Sequence, residues 1–231
     1  FVHFDNISGK KAEVYVDTEV HNSGKRTRTV AVETVLVDAG DVPVKRVSQQ
    51  VKLQAGESKT VRQRFAVRNP KLWSPDSPYL YRIQSRVKAG HEVLDGGVTR
   101  VGIRKAEFKG KDGFWLNGKP FGQLVGANRH QDFAYVGNAL PNSQQWRDAK
   151  RLRDAGCTII RVAHYPQDPA FMDACDEMGL FVIVATPGWQ YWNKNPEFAK
   201  LVHRNTREMI RRDRNHPSVL MWEPILNETP Y

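Results

Sequence analysis

The chain has 231 residues, of which 40% are hydrophobic and 26% charged, and its formal net charge is +10. This is a globular composition, and no run approaches the roughly 18 uninterrupted apolar residues of a membrane helix, so we expect no membrane partner. The positive charges are spread along the chain and mixed with Asp and Glu, which argues against a nucleic-acid partner. The basic run from Lys25 to Arg28 is interpreted as a solvated strand end, although the charge permits an acidic polysaccharide substrate.

The N-terminal Phe1 is neither a start methionine nor part of a signal peptide, so we expect the chain to be an internal piece of a longer polypeptide. Its compartment is left open, with a periplasmic or secreted location favoured over the cytoplasm. Two cysteines, Cys157 and Cys175, are too few for a disulfide framework and stand in apolar contexts. They are predicted to be buried, reduced thiols.

From the N-terminus to about residue 105, apolar and polar residues alternate in β-branched runs at 12–16, 30–37, 61–67 and 79–87. Turn residues separate these runs, as at 22–24, 55–57 and 89–90. The pattern predicts an antiparallel sandwich of immunoglobulin-like architecture over residues 1–105, without the disulfide of antibody domains.

After a linker at 106–113, strand-like runs alternate with stretches of helical period. The strands are predicted at 121–128, 158–163, 180–185 and 218–223, and the helices at 143–155, 168–178 and 196–212. Such alternation predicts right-handed βαβ units and a parallel sheet. Residues 114–231 would then be the first four β/α units of a truncated TIM barrel, because a complete barrel takes about 250 residues.

A flavodoxin-like open sheet is the structural alternative, although no glycine-rich phosphate loop follows the first strand. In a parallel α/β fold the residues at the carboxyl ends of the strands point into the active-site mouth. All four predicted strands end in hydrogen-bonding or aromatic side chains, the combination that a sugar-binding site requires. These ends are 128–132, 161–166, 186–192 and 222–228.

Several motifs of the second half resemble the barrel start of β-galactosidases and β-glucuronidases of glycoside hydrolase family two. They are Asn117-Gly118-Lys119-Pro120, Gly126-Ala127-Asn128-Arg129-His130, Arg161-Val162-Ala163-His164-Tyr165-Pro166, Asp176-Glu177-Met178-Gly179-Leu180, Asn215-His216-Pro217-Ser218-Val219 and Asn227-Glu228. Their order and spacing fit the family over about 110 residues. The sandwich matches the family in position and type, by architecture alone.

The resemblance implies that Glu228 is the general acid/base and that Asn227 hydrogen-bonds the sugar 2-hydroxyl. His130, His164 and Asn128 would line the substrate site. Arg161 would orient carboxylates there, or form a structural ion pair inside the barrel mouth; the residues favour neither. The nucleophile would come from a later strand beyond Tyr231, so the chain alone is expected to be inactive.

Two departures from the family pattern affect the site. The spacing from Trp222 to Asn227-Glu228 is one residue longer than usual, so either a bulge is present or Glu223 is the acid. The third strand end lacks the acidic motif that helps bind magnesium, so we expect no metal and no cofactor. In its place stand Trp189 and Trp192, which would stack on a polysaccharide-derived substrate or pack under a loop.

The sequence therefore predicts a retaining β-glycosidase that hydrolyses terminal β-linked sugars by double displacement. The alternatives are a non-catalytic carbohydrate-binding or scaffold protein on the same fold and an adhesion-type immunoglobulin module carrying an α/β domain. The partner is an oligosaccharide or polysaccharide-derived substrate. A homo-oligomer is compatible with the sequence, which does not specify the sugar or the linkage.

Overall fold

The computed structural model describes residues 1–187 and 193–226, which belong to two compact units. The first unit contains Phe1–Trp73, Tyr79–Glu107 and Leu116–Lys119. The second contains Ser74–Pro78, Phe108–Trp115 and the chain from Pro120 onward. The short segment Ser74–Pro78 thus groups with the α/β residues, although it lies within the β-rich part of the sequence.

The first unit is an immunoglobulin-like sandwich, as predicted. Its sheets have the strand orders β1-β2-β5 and β4-β3-β6-β7, and the strands pair antiparallel. The strands are β1 Val2–Asp5, β2 Lys11–His21, β3 Arg28–Val37, β4 Pro43–Leu53, β5 Ser58–Arg68, β6 Tyr81–Ala89 and β7 Glu92–Val101.

The sandwich core follows from the alternation of apolar residues. In β5, Val61, Phe65 and Val67 are buried, whereas the intervening Arg62 and Arg64 are exposed. Because side chains of a strand point alternately to opposite faces, the apolar set meets the facing sheet.

Three strands of the sandwich, β1, β4 and β7, lie outside the predicted runs. All three are at the edges of their sheets; most residues of β4 and β7 are exposed, and β1 is only four residues long. Because each of these strands buries few side chains, its sequence does not need the apolar alternation of a strand with one buried face.

A small sheet follows the sandwich strands, with the order β10-β9-β8. Its strands are β8 Ala106–Phe108, β9 Phe114–Leu116 and β10 Lys119–Pro120, and a 3-10 turn covers Gly110–Asp112. Phe121 continues from this hairpin, and its backbone N–H donates to the carbonyl of Phe114 at 2.9 Å.

The second unit contains a parallel four-stranded sheet with helices between consecutive strands, the predicted first half of a barrel. The elements are β11 Gly126–Arg129, α1 Asn142–Asp154, β12 Ile159–Val162, α2 Pro169–Met178, β13 Phe181–Ala185, α3 Pro196–Asp213 and β14 Val219–Glu223. The order β11-β12-β13-β14 is sequential, as in a barrel; a flavodoxin-like sheet would show a switch point.

One predicted element of the half-barrel differs clearly in extent. The first strand begins at Gly126, five residues after the predicted start at Phe121. Phe121 is tied to the preceding hairpin, and Gly122 has a φ of 89°, which breaks the extended conformation needed to continue a strand.

The helices are capped by the residues that the sequence offers. Asp168 accepts a hydrogen bond from the Ala170 N–H at 2.8 Å and begins α2, and Asn195 does the same for α3 with the Glu197 N–H at 3.0 Å. Helix α2 ends at Gly179, whose φ of 72° is left-handed. Ile160 and Val184 of the sheet pack against Phe171 of α2 in one apolar core.

The described helices do not include one long and apolar enough to cross a membrane. Cys157 and Cys175 are free thiols. Cys175 is buried in the helix-facing core, and burial raises the pKa of its thiol well above the usual value, so it is held as the neutral thiol.

Candidate active site

The register of the parallel sheet decides which side chains share the barrel-interior face. Asn128 pairs with Arg161, which pairs with Ile183, and Ala185 pairs with Glu223. Residues in register across neighbouring strands point to the same side, as do residues two apart in one strand. Asn128, Arg161 and Glu223 therefore lie on one face, near the carboxyl ends of their strands.

Arg161 and Glu223 form a bidentate ion pair on this face. The Arg161 Nη2 donates to Glu223 Oε1 at 2.6 Å, and Nε donates to Oε2 at 2.9 Å. Each side chain is 20% exposed, so the pair is largely removed from solvent. Both carboxylate oxygens of Glu223 accept from the guanidinium, the planar geometry for which arginine is suited.

The ends of the first two strands bring two histidines together. The rings of His130 and His164 meet edge to face, with centroids 5.5 Å apart. The Ala163 N–H donates to the Arg129 carbonyl at 2.9 Å, so the pairing of β11 with β12 continues to the residues directly before these histidines. The peptide bond between Ala163 and His164 is cis. Four of the predicted site residues, Asn128, His130, Arg161 and His164, thus lie at one edge of the sheet.

Arg129, which was not among the predicted site residues, points away from the site and binds the helices packed on the other face of the sheet. Its buried guanidinium donates to Gln145 at 2.8 Å and to Asp148 at 2.7 Å on α1, and also to Gln167. Its central carbon lies 4.0 Å from the ring centre of Phe171 on α2. The signal was present in the sequence: if Asn128 and His130 point inward, the alternation of a strand sends Arg129 toward the helices.

The loops after the first two strands are also hydrogen-bonded to each other. The Gln131 N–H donates to the Tyr165 hydroxyl at 2.8 Å, and the Gln131 side-chain oxygen accepts from the Asp168 N–H at 2.8 Å. These bonds fix the backbone directly after His130 relative to the loop that carries His164.

A second polar cluster lies where β14 begins, at the other end of the strands. His216 Nδ1 lies 2.6 Å from Asp176 Oδ2, and the Ser218 N–H donates to Asp176 Oδ1 at 3.0 Å. Burial lowers the pKa of His216, but the hydrogen bond and charge of Asp176 outweigh it and raise the pKa above the usual 6.5.

Asp173, Asp176 and His216 place possible ligand atoms within 4.8 Å of one another. Because both oxygens of Asp176 already accept hydrogen bonds, the cluster acts as a clamp between α2 and β14. The cluster lies at the start of a strand, and in barrel folds residues at this end of the strands serve stability.

Four predicted site residues lie outside the described residues. They are Trp189 and Trp192, after the third strand, and Asn227 and Glu228, after the fourth. The strands β13 and β14, which lead to them, are paired up to their ends, since the Thr186 N–H donates to the Glu223 carbonyl at 3.0 Å.

Two family profiles cover nearly the whole chain. Residues 2–104 match glycosyl hydrolases family 2, and residues 107–231 match the TIM barrel domain of glycosyl hydrolases family 2. The chain belongs to glycosyl hydrolase family 2. The resemblance drawn from the strand-end motifs is therefore confirmed.

Curated family 2 relatives include a β-galactosidase of Thermoanaerobacter pseudethanolicus, which is 36% identical over 97% of this chain. A putative β-glucuronidase of Formosa agariphila is 34% identical over 94% of this chain. The chain spans 30% of the first relative's length and 25% of the second's.

Solved family 2 structures share the fold. A family 2 member from Bacteroides cellulosilyticus has a TM-score of 0.91 and 36% identity, over 99% of this chain and 30% of that one. A β-glucuronidase of Bacteroides uniformis, covalently bound to cyclophellitol-6-carboxylate aziridine, has a TM-score of 0.90 and 31% identity, over 96% of this chain and 27% of that one. This family 2 chain therefore corresponds to a sandwich with a partial barrel.

Proposed function

We propose that the full-length protein is a retaining β-glycosidase that hydrolyses terminal β-linked sugars by double displacement. The observation that carries the proposal is the convergence of His130, His164 and the Arg161–Glu223 pair at the carboxyl edge of the sheet. Catalytic residues of barrel enzymes come from the ends of different strands at this edge. The relatives described as β-galactosidases and β-glucuronidases support the same activity.

Glu228 is the proposed general acid/base, in preference to Glu223. A general acid must hold a proton and present it to the leaving oxygen. Both oxygens of Glu223 accept from Arg161, so neither is available to carry that proton without breaking the pair. Glu228 follows five residues later and is preceded by Asn227, the residue type proposed to contact the sugar 2-hydroxyl.

The remaining site residues have proposed roles in substrate binding. Asn128, His130 and His164 offer hydrogen bonds to sugar hydroxyls, and Trp189 and Trp192 would stack on the apolar faces of sugar rings. Arg161 positions Glu223 and neutralises its negative charge in the barrel mouth. The proposed mechanism uses carboxylates alone, with no metal or cofactor.

A second carboxylate must act as nucleophile, about 5 to 5.5 Å from the acid/base in a retaining enzyme. We assign it to a later strand of the full barrel, so residues 1–231 alone are proposed to be inactive. The Bacteroides uniformis β-glucuronidase, a structural relative, is covalently bound to its aziridine ligand, which supports a covalent mechanism in the family.

The test is hydrolysis of a panel of 4-nitrophenyl β-glycosides by the full-length protein, with proton NMR of the first sugar released. Double displacement predicts that the product appears first as the β-anomer. An initial α-anomer would exclude the retaining mechanism. Failure to hydrolyse β-glycosides that it nonetheless binds would favour the non-catalytic carbohydrate-binding protein.

A further inference from the structure

The sandwich contains a cavity of about 970 Å³ at the end where β2 passes into β3. All of the residues that line it belong to the first unit. Its volume lies at the upper end of the range typical of small-molecule sites, about 300 to 1,000 Å³. The proposed hydrolysis of β-glycosides assigns it no role.

The floor of the cavity is apolar. Val20, Val30 and Leu53 line it and are buried, and they belong to an apolar cluster distinct from the main sandwich core. Val87 and Leu94 complete the floor and are partly exposed. A floor of this kind can contact the C–H faces of a ligand, as is usual in ligand pockets.

The rim of the cavity is cationic. Lys25, Arg26 and Arg28 line it and are exposed, and in the described part of the chain none of them forms an ion pair. Other cations of the same sandwich are paired: Arg62 binds Asp17 at 2.7 Å and Arg64 binds Glu13 at 2.7 Å. The rim cations are thus available to an external anion.

The lining also includes two exposed carboxylates, Glu19 and Asp95. These two carboxylates weaken the attraction of the three rim cations for a simple anion. A ligand with both hydroxyl and acid groups would use the whole lining, because carboxylates accept hydrogen bonds from hydroxyls while Lys and Arg bind the acid groups. An acidic sugar has both kinds of group.

The rim loop is held in place before any ligand arrives. The buried Asn22 side chain donates to the carbonyls of Arg26 at 2.9 Å and Gln54 at 2.8 Å, and its oxygen accepts from the Gly24 N–H at 3.1 Å. These bonds tie the loop between β2 and β3 to the turn after β4. Less ordering is then needed on binding, which favours affinity.

We propose that this cavity, lined by Lys25, Arg26 and Arg28, is a second carbohydrate site that binds oligosaccharides carrying carboxylate or sulfate groups. The choice of a saccharide over another hydroxylated anion rests on the proposed glycosidase function. The site would hold an acidic polysaccharide on the sandwich, independently of the residues proposed for hydrolysis.

Isothermal titration calorimetry on the full-length protein tests the proposal with four probes. Two are acidic, a galacturonate tetramer and a sulfated galactan tetramer, and two are their neutral counterparts, the methyl ester and the desulfated tetramer. The variant carries Lys25→Gln, Arg26→Gln and Arg28→Gln. The control carries Lys10→Gln, Lys45→Gln and Arg68→Gln, which removes equal charge from exposed sandwich positions that do not line the cavity.

We expect an acidic tetramer to bind the wild type and the control with the same Kd. The rim variant should bind the acidic tetramer at least about tenfold more weakly than the wild type does. The wild type should bind the neutral counterpart more weakly by a similar factor, because in both cases charge-assisted hydrogen bonds are lost. Three outcomes would each overturn the proposal. They are equal weakening in the rim variant and the control, equal binding of neutral and acidic tetramers, and no binding of any tetramer.

Hydrolysis of aryl β-glycosides, measured in parallel, separates this proposal from the glycosidase function. Activity of the rim variant should equal that of the wild type, because the substitutions lie outside the proposed catalytic residues. A protein that binds acidic tetramers through the rim without hydrolysing any glycoside would contradict the proposed function alone. Hydrolysis without such binding would contradict the second site alone.

Discussion

Arg161 and Glu223, on the second and fourth strands of the half-barrel, form a bidentate ion pair, with 2.6 Å between Nη2 and Oε1 and 2.9 Å between Nε and Oε2. The two residues are 62 positions apart in sequence. The pair occupies both oxygens of the Glu223 carboxylate, which precedes Asn227-Glu228 by a few residues. Because Glu223 is the alternative to Glu228 as acid/base, the choice between them depends on this pair.

Removing either partner of this pair should destabilise the protein. Arg161→Met or Glu223→Gln leaves one charge without its partner at a position where each side chain is only 20% exposed, and we expect each to cost about 1 to 3 kcal/mol. The double variant should cost less than the sum of the two. Calorimetric unfolding of the four full-length proteins gives the coupling; strict additivity would show that the pair contributes nothing.

Gly179→Ala should destabilise the α/β unit more than Gly156→Ala. Both glycines have left-handed φ, 72° and 88°, which costs a residue with a Cβ about 1 to 2 kcal/mol. An added Cβ at Gly179 would also lie 2.1 Å from the carbonyl oxygen of Pro75, whereas at Gly156 nothing lies within 4 Å. The comparison by thermal unfolding isolates this close approach, and equal losses would contradict it.

The clamp between His216 and Asp176 should make stability depend on pH. The pKa of His216 is raised in the folded state, chiefly by Asp176 acting against burial, so the folded state binds the proton more tightly than the unfolded state. The stabilisation is complete below the unfolded value of 6.5 and is lost as pH rises through the folded pKa.

Asp176→Asn should remove this pH dependence in melting curves taken from weakly acidic to alkaline pH. His203→Gln is the matched control, because His203 is an exposed histidine on α3 and should leave the dependence unchanged. A wild type whose melting temperature does not fall as pH rises through the raised pKa would contradict the clamp.

The isolated sandwich should fold on its own, and a segment ending at residue 119 should be more stable than one ending at 105. Asn117 donates to the Trp73 carbonyl at 3.0 Å and accepts from the Lys105 N–H at 2.9 Å, and all three residues belong to the first unit. Urea unfolding followed by circular dichroism should give a higher midpoint for the longer segment. Identical midpoints would show that Asn117 is not part of the sandwich.

Much of the fold is predictable from the sequence, because interior strands and amphipathic helices carry strong periodic signals. The strands β12, β13 and β14 and all three described helices of the half-barrel agree with the prediction to within a residue or two at each end. The strands β1, β4 and β7 escape prediction because they are short or bury few side chains, and the first barrel strand is shifted because Phe121 belongs to the hairpin before it.

The candidate site is only partly predictable in the same way. Strand-end position identifies Asn128, His130, Arg161 and His164, but the partner of Arg161 depends on the register of strands that are far apart in sequence. The network around Arg129 likewise depends on how two helices pack, which local sequence does not determine.

The central claim is that Glu228 is the acid/base, and the most direct measurement is the leaving-group dependence of hydrolysis by Glu228→Ala in the full-length protein. General acid catalysis is worth about 10² to 10⁴ in rate, so the variant should lose that much on substrates with poor leaving groups and far less on activated aryl glycosides. Azide should restore turnover of the activated substrate and give a β-glycosyl azide. Normal activity in Glu228→Ala, with this pattern in Glu223→Ala instead, would contradict the assignment and move the acid/base to Glu223.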